Sequence, residues 1–167
     1  MAGANATMND LASEALCSID FYVAGGILGI GASPWGEQRV GYISGGHFSG
    51  PLLSGEVLPG GGNWSRAGRV DPDLSIGTFD ARAVLRTHDG ALIYMTYSGR
   101  SVVPDDVRAE FADPARSGAV DPSRYYLRIA PVFETAHPRY AWLNTILAIG
   151  RGERTDQGAR HQIFAIR

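Results

Sequence analysis

There is no lysine in this chain. All fifteen basic residues are arginine, which removes Schiff-base catalysis and a Walker-type phosphate-binding lysine from consideration. Cysteine is nearly as scarce. Cys17 stands alone, so no internal disulfide can form and a cysteine-rich zinc centre is excluded. Excess charge of either sign is also missing: fifteen basic residues against seventeen acidic ones leave a formal net charge of −2. Neutralising phosphates needs a basic face, so nucleic acid is not expected as the main partner. No apolar run approaches the ~18 residues of a membrane-crossing helix. Met1 to Ala6 carry neither the positive region nor the apolar core of a secretory signal. The expected location is therefore the cytoplasm, without a membrane partner, and the sequons at Asn5 and Asn63 read as chance matches.

Several familiar motifs are incomplete. Gly29-x-Gly31 meets Pro34 where a dinucleotide fingerprint needs its third glycine. The glycines at 60–62 lack the Lys-Ser/Thr of a phosphate loop, and no serine sits in a G-x-S-x-G elbow. His47, His88, His137 and His161 are too dispersed to form a metal-binding pair along the chain. No cofactor and no metal are expected.

What the chain does have is glycine, 22 in 167 residues, about twice the usual share and the mark of many turns and strand bends. Its length suits one domain, read as residues 16–167 behind a flexible arm at 1–15 with a short helix through Met8, Leu11, Ala12 and Ala15. Period-2 alternation starts at Ile19, Phe21 and Val23. Further strands are expected at 38–44, 47–59, 78–87, 91–99, 124–135, 140–150 and 161–166. Asp89-Gly90 predicts a type I′ hairpin turn. One helix is expected from Pro104 to about Asp113, opened by Pro104 and the acidic pair Asp105 and Asp106, striped by Val103, Val107 and Phe111, and closed by Pro114. Many antiparallel strands with one short surface helix predict an all-β fold, a single antiparallel barrel of about 8–10 strands, with an open sandwich as the alternative.

Polar residues inside these strands are the candidates for chemistry. Asp80 and Arg82 lie two apart, so they share one face of a strand, opposite Phe79, Ala81, Ala83 and Leu85. They form either a solvated ion pair or a buried pair inside the barrel. Arg128 and Glu134 share a face with Tyr126 if Pro131 introduces no bulge. Tyr140, Trp142, Asn144 and Ile146 form a third set, in which Asn144 either meets a ligand or ties down a neighbouring loop. Trp64 and Tyr94 are candidate aromatic walls.

The string Gly45-Gly46-His47-Phe48-Ser49-Gly50-Pro51, continued by Gly55-Glu56-Val57-Leu58-Pro59-Gly60-Gly61-Gly62-Asn63-Trp64, is too unusual to be generic. With Phe79-Asp80-Ala81-Arg82, Thr87-x-Asp89-Gly90-Ala91-x-Ile93 and Phe133-Glu134-Thr135…Tyr140-x-Trp142-Leu143-Asn144 it resembles the domain-of-unknown-function 3237 family (UPF0311-like proteins), over about residues 18–167. The resemblance implies a small calycin-like β-barrel. It also implies, from some fungal relatives, cofactor-free ring-forming chemistry in polyketide biosynthesis. It shifts Asp80, Arg82, Glu134 and Asn144 toward a pocket. His47 stands where many members carry arginine or another polar residue, and Asn63 where aspartate is common, so a pocket containing either would treat its ligand differently.

Two functions follow as expectations. In the first, the protein is a cofactor-independent lyase or isomerase acting on an oxygenated aromatic or polyketide-like small molecule. Asp80 or Glu134 would be the general base, Arg82 or Arg128 with Asn144 or Tyr140 would hold a developing oxyanion, and His47, Trp64, Tyr94 and Trp142 would line the ligand site. In the second, the same residues orient a hydrophobic small molecule in a non-catalytic barrel. A homodimer formed through an exposed strand face is a third, structural expectation.

Overall fold

The computed structural model describes residues 11–167. Ten antiparallel strands form one sheet: β1 (Ser13–Val23), β2 (Leu28–Ser33), β3 (Gly36–Ser49), β4 (Gly55–Val57), β5 (Gly62–Asp71), β6 (Leu74–Thr87), β7 (Leu92–Pro104), β8 (Tyr126–Glu134), β9 (Ala148–Arg154) and β10 (Gly158–Ile166). From β1 the order runs through β10, β9, β8, β7 and β6 to β4, β3 and β2. Closure comes from β3. Its first half pairs with β5 and its second half with both β4 and β1, Ile19 opposite Phe48 and Asp20 opposite His47. The all-β barrel read from the sequence is the observed architecture.

Alternation decides which side faces in. On β6, Ala81, Ala83 and Leu85 are buried while Asp80, Arg82 and Arg86 point out; on β7, Ile93, Met95 and Tyr97 are buried between exposed Leu92, Tyr94 and Ser98. Phe21, Ile43, Phe48, Ile129, Phe133 and Ile163 complete a core that fills the barrel. Each large apolar side chain removed from water this way contributes about 1.5–3 kcal/mol. A second cluster, Val103, Val107, Val120, Tyr125 and Leu127, seats the helical segment against the barrel.

Several local expectations change. Ser13–Ala15 belong to β1 rather than to an arm; Met8 and the start of that arm lie outside the described residues, and Leu11 and Ala12 precede the strand without helix. The single helix is one of several short ones: α1 (Asp105–Ala112), α2 (Pro114–Ser117) and 3-10 turns at Pro122–Arg124 and Pro138–Thr145. Asp113 ends α1 and caps α2, its side chain accepting from the Ala115 N–H. The turn at 87–90 is not type I′, because Asp89 has no positive φ. Gly90 alone takes φ +88°, and its N–H donates to the Thr87 carbonyl at 2.9 Å. This is the geometry of a turn ending in a left-handed glycine. The expected strand at 140–150 is a 3-10 turn up to Thr145, with β9 beginning only at Ala148.

Candidate functional site

A cleft of about 600 Å³ opens on the outer face of the barrel where β3, β1, β10 and β9 lie side by side. Its floor carries Asp20, Tyr22, His47, Glu153 and Arg160, and its roof is the α2 segment with Ala115, Gly118, Ala119 and Pro122. The roof is fastened by Ser117, whose hydroxyl donates to the Thr155 carbonyl at 3.2 Å, and by Phe111 packed on Tyr125 with ring centroids 4.8 Å apart.

Strand register assembles the floor. Asp20 on β1 stands between His47 on β3 and Arg160 on β10, and Arg160 faces Glu153 on β9. The Asp20 carboxylate is only 8% exposed. It accepts from Arg160 Nε at 2.9 Å and lies 3.3 Å from His47 Nε2. Arg160 reaches Glu153 at 3.4 Å, and its bond to Asp20 raises its own pKa. On the other side of the imidazole, His47 Nδ1 is 2.8 Å from the Tyr22 hydroxyl. A carboxylate can only accept, so a neutral ring that turns its N–H toward Asp20 carries the hydrogen on Nε2, and in that tautomer Nδ1 accepts from the Tyr22 O–H. Tyr22, His47 and Asp20 thus stand in one line, from a half-buried phenol through an exposed imidazole to a buried carboxylate.

Arg154 also lines the cleft, with Nε buried and without an acceptor among the described residues. Desolvation lowers its pKa, and its guanidinium lies 5.7 Å from the Phe111 ring centre. It is a cation with spare capacity for an anionic group.

Of the ten side chains singled out in the sequence, only His47 lines this cleft. Asp80 and Arg82 pair with each other at 2.9 Å on the exposed face of β6. Trp64 faces Asp80 from β5, and Tyr94 faces Glu134 between β7 and β8, all on the outer surface. Arg128 lies over the Tyr126 ring at 4.7 Å. Tyr140 is buried and donates to Asp89 at 2.9 Å, a bond that, after the one from Thr87, holds the Asp89 carboxyl below its ordinary range. Trp142 packs against the core. Asn144 accepts from the Thr135 N–H and donates to the Thr135 carbonyl, both at 2.9 Å, which is the loop-tying role. The structure therefore does not bring Asp80, Glu134, Arg82 and Asn144 into one pocket. Asp20, Tyr22, Glu153, Arg154 and Arg160 were missed. The only sequence signal for Asp20 is an acid set between Ile19 and Phe21 in an otherwise apolar run.

Among the described residues no group of three or more His, Cys, Asp or Glu is placed to hold a metal ion, and no helix is long and apolar enough to cross a membrane. The sequence model of a family described as a protein of unknown function (DUF3237) matches residues 12–166. A UPF0311 protein of Clostridium acetobutylicum is 38% identical over 109 residues, covering 65% of this chain and 64% of that protein's length. A conserved protein of unknown function from Rhodopseudomonas palustris has a crystal structure that matches with a TM-score of 0.84 at 27% identity, over 96% of this chain and all of that one. A beta-barrel like protein from Acinetobacter baumannii matches with a TM-score of 0.77 at 29% identity, over 98% of this chain and all of that one.

Proposed function

Since the chain belongs to the DUF3237 family, a family of unknown function with a β-barrel fold, its chemistry has to be read from its own cleft, and we propose that it is a cofactor-independent lyase or isomerase working there by proton transfer. The substrate is an oxygenated, aromatic or polyketide-like small molecule. The observation that carries this reading is the Tyr22–His47–Asp20 chain.

The chain supplies a base without a metal or a lysine. The Tyr22 oxygen takes a proton from the substrate while its own hydrogen passes to His47 Nδ1, and the Asp20 carboxylate stabilises the imidazolium that results. Reversing the steps returns the proton to another atom of the substrate, which is an isomerisation, or to a leaving hydroxyl, which is an elimination. Positioned proton transfer of this kind contributes ~10²–10⁴-fold. The negative charge left on an enolate or phenolate oxygen falls to Arg154, whose guanidinium no carboxylate occupies among the described residues. A carrier that takes a hydrophobic molecule into the barrel has less support, since side chains fill that interior.

The test is a panel of phenols, enones and lactones screened by thermal shift and mass spectrometry. A ligand at 100 times its Kd adds ~2.7 kcal/mol of stability and is readily seen. Turnover that collapses in Tyr22→Phe and His47→Asn but persists in Asp80→Asn supports the cleft. Turnover lost in Asp80→Asn and retained in Tyr22→Phe overturns it and returns the chemistry to the β6 face.

A further inference from the structure

Ten of the fifteen arginines stand within ion-pair distance of a carboxylate. Arg66, Arg100, Arg128, Arg151 and Arg154 have no such partner among the described residues. Three of these five form a row. Arg100 on β7 is directly opposite Arg128 on β8, and Arg128 is directly opposite Arg151 on β9. All three side chains leave the outer face of the sheet, and neighbouring strands are ~4.8 Å apart, so three guanidinium groups start within about 10 Å. Like charges directly opposite one another across strands are destabilising. A chain of net charge −2 that neutralises most of its arginines locally leaves these three side by side with no carboxylate partner among the described residues.

The row continues without a carboxylate at either end. Thr78 faces Arg100 from β6 and Gln162 faces Arg151 from β10, each able to donate a hydrogen bond. The nearest acids on these strands are engaged: Asp80 with Arg82 and Glu153 with Arg160. Where Arg100 and Arg128 bond within the protein, they do so through one guanidinium nitrogen to a backbone carbonyl, of Gly99 and of Leu127. The rest of each fork is free for a ligand, and Tyr126 holds the Arg128 guanidinium from beneath.

We propose that Arg100, Arg128 and Arg151 form an anion-binding site for a compact molecule carrying two or more adjacent acidic groups, an oligophosphate or a polycarboxylate. The site lies outside the cleft and does not depend on the chemistry assigned there. A nucleic acid fits less well, because the uncompensated charge is one residue deep along the strands and is bounded by the Asp80–Arg82 and Glu153–Arg160 pairs.

The experiment uses the full chain at low ionic strength with sodium pyrophosphate and sodium citrate as probes, read by calorimetric titration and thermal melting. KCl at matched ionic strength is the control. The site predicts that pyrophosphate, citrate or both raise Tm, and that Arg128→Gln and Arg151→Gln each weaken binding by about tenfold or more. Which probe binds more tightly distinguishes phosphate from carboxylate chemistry. It also predicts that either variant melts no lower than the wild type without anion, because repulsion is relieved. Four results would overturn the proposal: no rise in Tm beyond that of KCl; binding unchanged in both variants; binding lost in Arg154→Gln but kept in Arg128→Gln, which would place the anion in the cleft; or tight binding of a single-stranded 20-nucleotide DNA that pyrophosphate cannot displace.

Discussion

Asp20 and His47 face one another in register across the seam that closes the barrel, the buried carboxylate 3.3 Å from the imidazole Nε2. The same carboxylate accepts from Arg160, so one side chain links three strands. Asp20→Asn keeps the shape but loses the charge that both partners use. It should cost about 1–3 kcal/mol in urea unfolding, the range for an impaired buried charge-assisted bond. Asp80→Asn is the comparison, since its partner Arg82 is solvent-exposed and such pairs contribute about 1 kcal/mol or less. Equal stability losses in the two variants would mean that the Asp20 carboxylate does not organise the seam.

The close approach of β1 and β3 depends on Gly46. At φ +149° it sits where a Cβ would fall 1.9 Å from the Asp20 carbonyl oxygen. Backbone blocks that position, so relief requires the strands to part rather than a side chain to turn. Gly46→Ala should therefore destabilise by about 3 kcal/mol or more and speed hydrogen exchange on β1 between Ser18 and Val23. Gly41→Ala, on the same strand with its nearest neighbour a Val23 methyl at 3.4 Å, should cost far less.

The barrel was legible because its inner residues alternate plainly, as on β6 and β7. Where a strand lines the barrel with small or polar groups the signal fades. β5 reads Asn63-Trp64-Ser65-Arg66-Ala67-Gly68, whose inward positions hold asparagine, serine and alanine, and it is absent from the strands expected from the sequence. Tyr140 to Ile146 failed in the opposite way. Apolar residues on both sides resembled a covered strand, but Tyr140 and Leu143 are the buried pair and stand three apart, the period of a 3-10 turn opened by Pro138. The cleft was harder still. His47 lies in a distinctive string, yet its partners come from β1 and β10, 25 to 113 positions away, and only strand register joins them.

Asn144 gives a local test of that corrected corner. Both ends of its amide hold the Thr135 backbone at 2.9 Å, just where β8 gives way to the 3-10 turn. Asn144→Ala should lose about 1–2 kcal/mol, with Asn144→Asp intermediate, since a carboxylate can accept from the N–H but cannot donate to the carbonyl. Chemical denaturation of the three proteins checks the order. Equal stability of Asn144→Ala and wild type would show that water replaces the clamp.

His161 sets the acid sensitivity of the core. It is 2% exposed, lies among Phe21, Tyr97 and Leu127, and its Nδ1 has no hydrogen-bond partner among the described residues. Burial pushes its pKa down to about 4, against ~6.5 in an unfolded chain. Between those two values the unfolded chain binds a proton that the folded protein refuses, so stability falls as pH falls through that window. The loss between pH 7 and pH 5 should be about 2 kcal/mol from this residue. The carboxylates held low by their hydrogen bonds, Asp89, Asp105, Asp113 and Asp121, are still ionised at pH 5 and add nothing to this loss. His161→Phe keeps an aromatic ring of similar size and removes the titration. Its unfolding free energy should therefore drop by about 2 kcal/mol less than the wild type's over the same pH step. An identical drop in both proteins would mean that His161 is not the buried acid-sensitive group.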